Sequence, residues 1–584
     1  KFGNEFIQRN DRPGFQNFRR FQDRKTIFLG ERTVYRRLVP KMAIYENQQE
    51  NAINLLEARI SPKSADGLAQ SIDEIDHTCD CGRQDPPCPY LPELGSRHFY
   101  VLHFHKRTCD FVAHDYTETT LHARHWCRDY KLRQETKQIA EEIAHLRDAN
   151  CSIASRIFGI DAAAKEIDCR PEVFAQSFRF LRDHRSTRNA ELVFGVGHPT
   201  IPPLRVTYHV GEDFYDLVDG LRAIDECILF LKMRHGDRIG HGLALGLDSP
   251  DYYDRMQQEI VLPQQNLLDN IAWMLDQIQE GALPVSSSFE YGLKRKYQEL
   301  FNEVFREAFQ RDNTYEQLSL FYSNPSKYLD AWRLRGDSPE SYRSKVADPE
   351  ELAQEKKTQR RVFSQYNRYR FLKGADSFQK LDWDTYFLHH LYHYDIGVKS
   401  RGNVFTSFPI DEEWVQVVGL LQRKMRDRVM SLGIAVEANP SSNVMIGGLK
   451  NVVDHPVFTM FPIREKEGRT KRMNLSVNTD DQGIFFTSLV KEYTLLSSCL
   501  MADKEDGVRK YSDDEILHWI DRLIENGIVQ SFYDAPSSGL DRRAVGWTEP
   551  LRAASGSASG RSGSRLCKLG GDSCPDRSCA HQRR

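Results

Sequence analysis

Two strand ends, one βα unit apart, constrain this chain more than any other feature. In Arg205-Val206-Thr207-Tyr208-His209-Val210-Gly211-Glu212, apolar Val206 and Tyr208 alternate with polar neighbours and Gly211 stops the run, which is the pattern of a strand. Leu217, Leu221, Ile224, Ile228 and Leu231 then recur at steps of four and three, one face of a helix. A second strand follows in Asp237-Arg238-Ile239-Gly240-His241-Gly242. Strand, helix, strand at that interval predicts a parallel sheet and an α/β fold. His209, Glu212 and His241 fall at strand C-terminal ends, where barrel enzymes place their chemistry. Glycines on both sides of His241 let the backbone bring the imidazole close to a ligand.

A third strand, Met473-Asn474-Leu475-Ser476-Val477, alternates cleanly and runs into Asn478-Thr479-Asp480-Asp481. Adjacent carboxylates repel, and burial makes the repulsion worse. A cation, or a division of labour between metal and substrate, relieves it; an exposed acidic turn or helix cap is the plainer alternative. Two further strands end in polar turns: Gly433-Ile434-Ala435-Val436-Glu437-Ala438-Asn439-Pro440-Ser441-Ser442-Asn443 and Phe158-Gly159-Ile160-Asp161-Ala162-Ala163-Ala164-Lys165-Glu166.

In chain order these motifs are Gly-Ile-Asp, His-x-Gly-Glu, Arg-x-Gly-His-Gly, Glu-x-x-Pro-x-Ser-Asn and Asn-Thr-Asp-Asp. That order resembles the adenosine deaminase family of the amidohydrolase superfamily, over about residues 30–250 and 430–535. The resemblance implies a (β/α)8 TIM-type barrel with one zinc ion per subunit, and His209 and Asp480 as two of its ligands. It implies that Glu212 protonates the purine ring, that His241 orients and stabilises the attacking hydroxide, and that Asp481 hydrogen-bonds the purine. Ala164 stands where the family has a glycine whose backbone approaches the substrate. The long interval between His241 and Glu437 departs from the family pattern. With the Leu-Arg-Ala-Ile-Asp helix, it most resembles the adenosine deaminase subunits of bacterial RADAR anti-phage systems. Such a likeness implies a cytoplasmic homo-oligomer with an ATPase partner, acting on adenosine, adenine nucleotides or RNA.

The family's other two ligands form a His-x-His pair ending the first strand. His103-Phe104-His105 has that spacing, which puts both rings on one face. Its position is wrong, however, because Ala52–Arg59 already resembles the family's second strand and residues 99–106 its third. The chain opens on Lys1-Phe2-Gly3-Asn4 without a Met or a signal pattern, so the expectation is that the first strand and its pair lie upstream.

Length and composition set the frame for these motifs. At 584 residues with 40% hydrophobic and 28% charged residues, the chain reads as globular and large enough for a barrel with insertions. A net charge of -3 demands neither a nucleic-acid nor a membrane partner. Residues 1–250 and 431–543 read as the two parts of the barrel. Residues 251–430 read as a mainly helical insertion crowded with rings (Tyr366, Tyr369, Phe371, Tyr386, Phe387 and Tyr392), a density expected to mark subunit contacts. Residues 544–584, rich in Ser, Gly and Arg, read as a disordered tail.

Scattered cysteines fit a reducing compartment. Cys79, Cys81 and Cys88 lack a matching second pair for a zinc site. Cys567, Cys574 and Cys579 read as solvated thiols, and His389, His390 and His393 as lining a helix. Two other functions stay open at the level of sequence. One is hydrolysis of a different amine or amide, and the other a structural shell protein with a vestigial deaminase site.

Overall fold

Each strand read from alternation forms, and seven of them join edge to edge in one parallel sheet. They are β1 (Leu56–Ile60), β2 (His98–Lys106), β3 (Ile157–Ala164), β4 (Arg205–Val210), β5 (Arg238–His241), β8 (Ala435–Ala438) and β9 (Leu475–Val477), paired in that order. Between β5 and β8 the chain departs to make a separate antiparallel ribbon, β6 (Glu259–Pro263) with β7 (Phe405–Pro409). The computed structural model describes residues 55–78, 98–108, 127–186, 201–311, 315–342, 381–465 and 471–533, apart from 63, 168 and 448, together with Val39, Ala43 and Ile44. The loop cysteines, Tyr366, Tyr369, Phe371 and the tail beyond 533 lie outside them. So does everything before residue 55 except those three.

The sheet is curled, and its own ion pairs show by how much. Neighbouring strands lie about 4.8 Å apart, so β1 and β5, four steps apart in a flat sheet, would be separated by about 19 Å. Yet Arg238 of β5 donates to Glu57 of β1 at 2.7 Å, and Arg59 of β1 donates to Glu437 of β8 at 2.7 Å. These side chains meet across the concave interior, so the sheet is a half-barrel. Below them Phe532 packs on Phe99 and Val101, with the Arg238 guanidinium 3.6 Å from its ring centre. Phe532 thereby fills the N-terminal mouth of the half-barrel.

Helices cover the convex face: α1 (Ala65–Thr78), α2 (Tyr130–Ala149), α3 (Ala175–Asp183) and α4 (Leu217–Phe230) follow the first four strands. The insertion adds α5 (Gln264–Gly281), α6 (Ser287–Arg311), α7 (Trp383–Tyr394) and α8 (Glu412–Ser431), and the chain closes with α9 (Leu489–Ala502) and α10 (Asp513–Val529). Helix α4 is buried on every side, including Asp219, Arg222, Asp225 and Glu226. Buried charges need partners; Arg170 and the helix's own residues supply some, and the insertion adds others. Arg222 reaches Asn270 at 2.8 Å, Trp273 donates to Asp225 at 2.8 Å, and Trp332 donates to Glu226 at 3.0 Å. The insertion therefore shares one core with the sheet and its helices.

Among the described residues the insertion is mainly helical, with β6 and β7 at its entrance and exit. Of the rings expected to mark subunit contacts, Tyr386, Phe387 and Tyr392 are buried, as are Tyr297, Phe301, Phe305, Phe309 and Tyr328, whereas Tyr291 and Phe405 are exposed. Rings at helical spacing on packed helices fill the space between those helices, and composition alone cannot distinguish that from a surface patch. Among the described residues no helix is long and apolar enough to cross a membrane.

Candidate active site

The C-terminal ends of β3, β4, β5, β8 and β9 converge, and the backbone is strained where they do. His241 sits at φ 64°, Asp480 at φ 55° and Ala164 at φ 84°, in the left-handed region that non-glycine residues avoid. Strain of this kind persists only where the surrounding structure imposes it, and it collects at functional sites. Three of the sequence-derived positions carry it.

Those turns bring four side chains together. The His241 imidazole Nδ1 lies 3.0 Å from Glu212 Oε1, and its Nε2 lies 3.9 Å from Asp480 Oδ2. The His209 and His241 ring centres are 4.9 Å apart. His241, His209 and Glu212 are enclosed, whereas the Asp480 side chain keeps 24% of its surface exposed. Asp481 is half-buried and leads into the helical turn Gln482–Phe485.

Beneath them, Asp161 organises two histidines. Its Oδ1 accepts from His209 Nδ1 at 3.0 Å, while Oδ2 accepts from Arg59 at 2.9 Å and lies 3.3 Å from His103 Nδ1. Burial would push the Asp161 carboxyl up, but His209, Arg59 and His103 outweigh it and hold it well below the usual carboxylate range. Asp161 is therefore a fixed anion. It claims the Nδ1 proton of His209 and leaves the Nε2 lone pair facing the site, the arrangement typical of metal-ligating histidines. Burial keeps the His209 pKa lowered despite Asp161, so the ring is neutral, as a ligand must be.

Asp480 shows the complementary behaviour. Burial opposes its ionisation, yet His241, His209 and a 2.6 Å bond from Ser442 Oγ hold its pKa below the ordinary value. At His241, burial works against protonation. The facing Glu212, then Asp480 and Glu166, overcome it and raise the pKa to about 9, so the imidazole is charged at neutral pH.

A neutral imidazole nitrogen and an ionised carboxylate are the donor types that zinc takes, so His209 and Asp480 fit as part of a shell. A catalytic zinc needs at least three protein ligands, and among the described residues no three His, Cys, Asp or Glu side chains are gathered closely enough to hold a metal. His103 is near, with its ring centre 5.6 Å from that of His209, but its Nδ1 is turned to Asp161. His105, two residues on, is exposed. Strand order places this pair on the strand after β1, not on a first strand.

Compared with known protein families and with curated proteins, the chain matches none.

The site also holds residues that motif reading left without a role. Asn443 donates to Glu212 Oε1 at 2.8 Å and lies 2.7 Å from His241 Nδ1. Its orientation is set by His455. The Val457 amide donates to His455 Nδ1 at 3.0 Å, so Nε2 carries the proton and donates to Asn443 Oδ1 at 2.9 Å. Burial, and then the charge on His241, push the His455 pKa down to about 3, which keeps that tautomer neutral. Asn443 was visible in the Glu-x-x-Pro-x-Ser-Asn motif. His455, a single histidine in a loop, carried no pattern that could have found it.

Proposed function

We propose that this chain is a zinc-dependent deaminase that converts adenine to hypoxanthine in adenosine, an adenine nucleotide or RNA, on a (β/α)8 barrel. The observation that carries the reading is the convergence of Glu212, His241, His209 and Asp480 at strand C-terminal ends, with His241 poised between the two carboxylates. Both edges of the sheet, β1 and β9, lack a partner strand among the described residues. One more strand between them would complete eight. In this reading that strand brings the His-x-His pair, and with it the remaining ligands.

When bound by His209 and Asp480 with those ligands, zinc supplies a Lewis acid that lets water act as a nucleophile near neutral pH. The protein's own groups then divide the work. Glu212 takes a proton from the attacking water and passes it to the purine ring nitrogen as oxygen adds to the adjacent ring carbon. His241, positively charged, stabilises the negative charge gathering on that oxygen. Asp481, at the rim, hydrogen-bonds the purine, and the backbone at Ala164 lies alongside it. The added hydroxyl then gives its remaining proton to the amine, the carbon–nitrogen bond breaks, the amine leaves as ammonia, and a carbonyl takes its place.

Adenosine, adenine nucleotides and RNA all present the same ring, so the chemistry accommodates each. In line with the RADAR resemblance, the reading includes a cytoplasmic homo-oligomer working with an ATPase during phage infection. The test is ammonia release from adenosine, ATP, dATP and RNA by the zinc-supplemented protein. Release from at least one, with the inosine form as product, is expected. No release from any of the four would overturn the reading.

A further inference from the structure

The exit turn of β4 carries both His209 and Glu212, so small movements of its backbone displace both groups at once. The turn is held at four points. Lys106 Nζ donates to the His209 carbonyl, and Glu166 Oε2 accepts from the Gly211 amide at 2.8 Å and the Glu212 amide at 3.4 Å. On the far side, the Ala244 amide donates to the Gly211 carbonyl at 2.9 Å. Gly211 sits at φ 82°, and a Cβ there would meet Ile224 Cδ1 at 2.8 Å, so no other residue fits the turn without displacing its neighbours.

Lys106 and Glu166 come from the ends of neighbouring strands, since Lys106 pairs in register with Ala164. Lys106 is buried, with its ammonium 4.2 Å above the Tyr208 ring. A buried lysine and a half-buried glutamate are costly to maintain. Neither belongs to the proton-donating or metal-holding set.

We propose that Lys106 and Glu166 are positioning residues that clamp the β4 exit turn and so fix the Glu212 carboxyl against His241. What Glu212 does there rests on the deaminase reading; the clamp itself does not. Strand-end amides that point away from the sheet have no ladder partner, and leaving them unpaired in a buried turn is expensive. Glu166 supplies that partner, and its acceptor oxygen matters more than its charge. Burial, reinforced by Glu212 and opposed by Lys106, raises the Glu166 pKa, and the accepting oxygen is present in a glutamine amide as well. The isosteric amide of glutamine can therefore serve.

The experiment compares Glu166→Gln, Glu166→Leu and Lys106→Met with the parent protein. It reads kcat and KM for adenosine together with residue-resolved hydrogen–deuterium exchange at Gly211 and Glu212. Glu166→Leu should lose about 10²-fold in kcat, the scale of a small misplacement of a reacting group, with KM little changed. Exchange at both amides should rise about 10-fold as the turn opens locally. Glu166→Gln should restore turnover and protection to within a few fold of the parent, and Lys106→Met should behave like Glu166→Leu. Unchanged exchange and turnover in Glu166→Leu, or a Glu166→Gln variant as poor as Glu166→Leu, would overturn the clamp. Should Glu166→Leu fail to fold, the contrast between Glu166→Gln and Lys106→Met decides. If the parent releases no ammonia, the deaminase reading fails while amide exchange still decides the clamp.

Discussion

Glu212 Oε1 and His241 Nδ1 face one another at 3.0 Å, and each alters what the other can do. The carboxylate keeps the imidazole charged to about pH 9 despite its burial. The charged imidazole in turn gives the site a fixed positive pole beside the group assigned to protonate substrate. Asn443 donates to the Glu212 carboxylate, and His455 determines which way Asn443 points. The site is thus a chain of oriented groups running from Glu212 through Asn443 to the buried His455.

That chain makes His455 testable. Replacing it with Phe retains volume but removes the Nε2 donor to Asn443, leaving the amide free to flip. Turnover should fall about 10-fold, the lower end of what outer partners of a site contribute, with KM little changed. Steady-state kinetics decide it: a raised KM at normal kcat would mean that His455 shapes the substrate pocket instead.

Ala164 offers a stability test independent of function. At φ 84° its Cβ crowds its own backbone, a strain that glycine lacks. Part of the relief is offset by glycine's greater freedom in the unfolded chain, so Ala164→Gly should stabilise by about 0.5–1 kcal/mol. Chemical denaturation measures this, and a loss of stability would show that the methyl group packs usefully.

Asp216 links α4 to the insertion, accepting from Tyr253 at 2.6 Å, which in turn accepts from Trp414 at 3.0 Å. Burial raises its pKa from 3.8 to about 7. A carboxyl that binds its proton more tightly when folded contributes stability below its unfolded pKa and loses it as pH rises through the folded value. Asp216→Asn cannot ionise and escapes that loss. Its melting temperature relative to the parent should therefore climb between about pH 4 and about pH 7. A difference that stays flat or falls over that range would mean that Asp216 is ionised throughout.

How much of this was legible in the sequence follows from distance along the chain. His209, Glu212, His241 and the Asp480-Asp481 pair sit at the ends of alternating runs closed by glycine or by polar turns, a local pattern that needs no tertiary knowledge. The order of β1, β2 and β3, and hence the misfit of His103 with a first-strand pair, was also readable. Lys106, Glu166, Arg59 and His455 were not, because each acts through a partner brought close only by strand register or a returning loop. Arg59 looks like an ordinary charged residue until curling carries it across the interior to Glu437. The burial of Tyr386, Phe387 and Tyr392 was not legible for a different reason. Aromatic density signals burial and contact alike, and only the packing of α5, α6 and α7 shows that these rings face inward.

The central claim is hydrolytic exchange of an amine for an oxygen with Glu212 as proton donor. The most direct measurement runs the reaction on adenosine, ATP, dATP and RNA in ¹⁸O-labelled water, with the parent protein and Glu212→Gln side by side. The account predicts that the parent releases one ammonia per labelled oxygen incorporated into the purine ring. Glu212→Gln should fold normally yet be slower by roughly 10² to 10⁴. A parent protein that neither labels the ring nor releases ammonia, or a Glu212→Gln variant as fast as the parent, would contradict it.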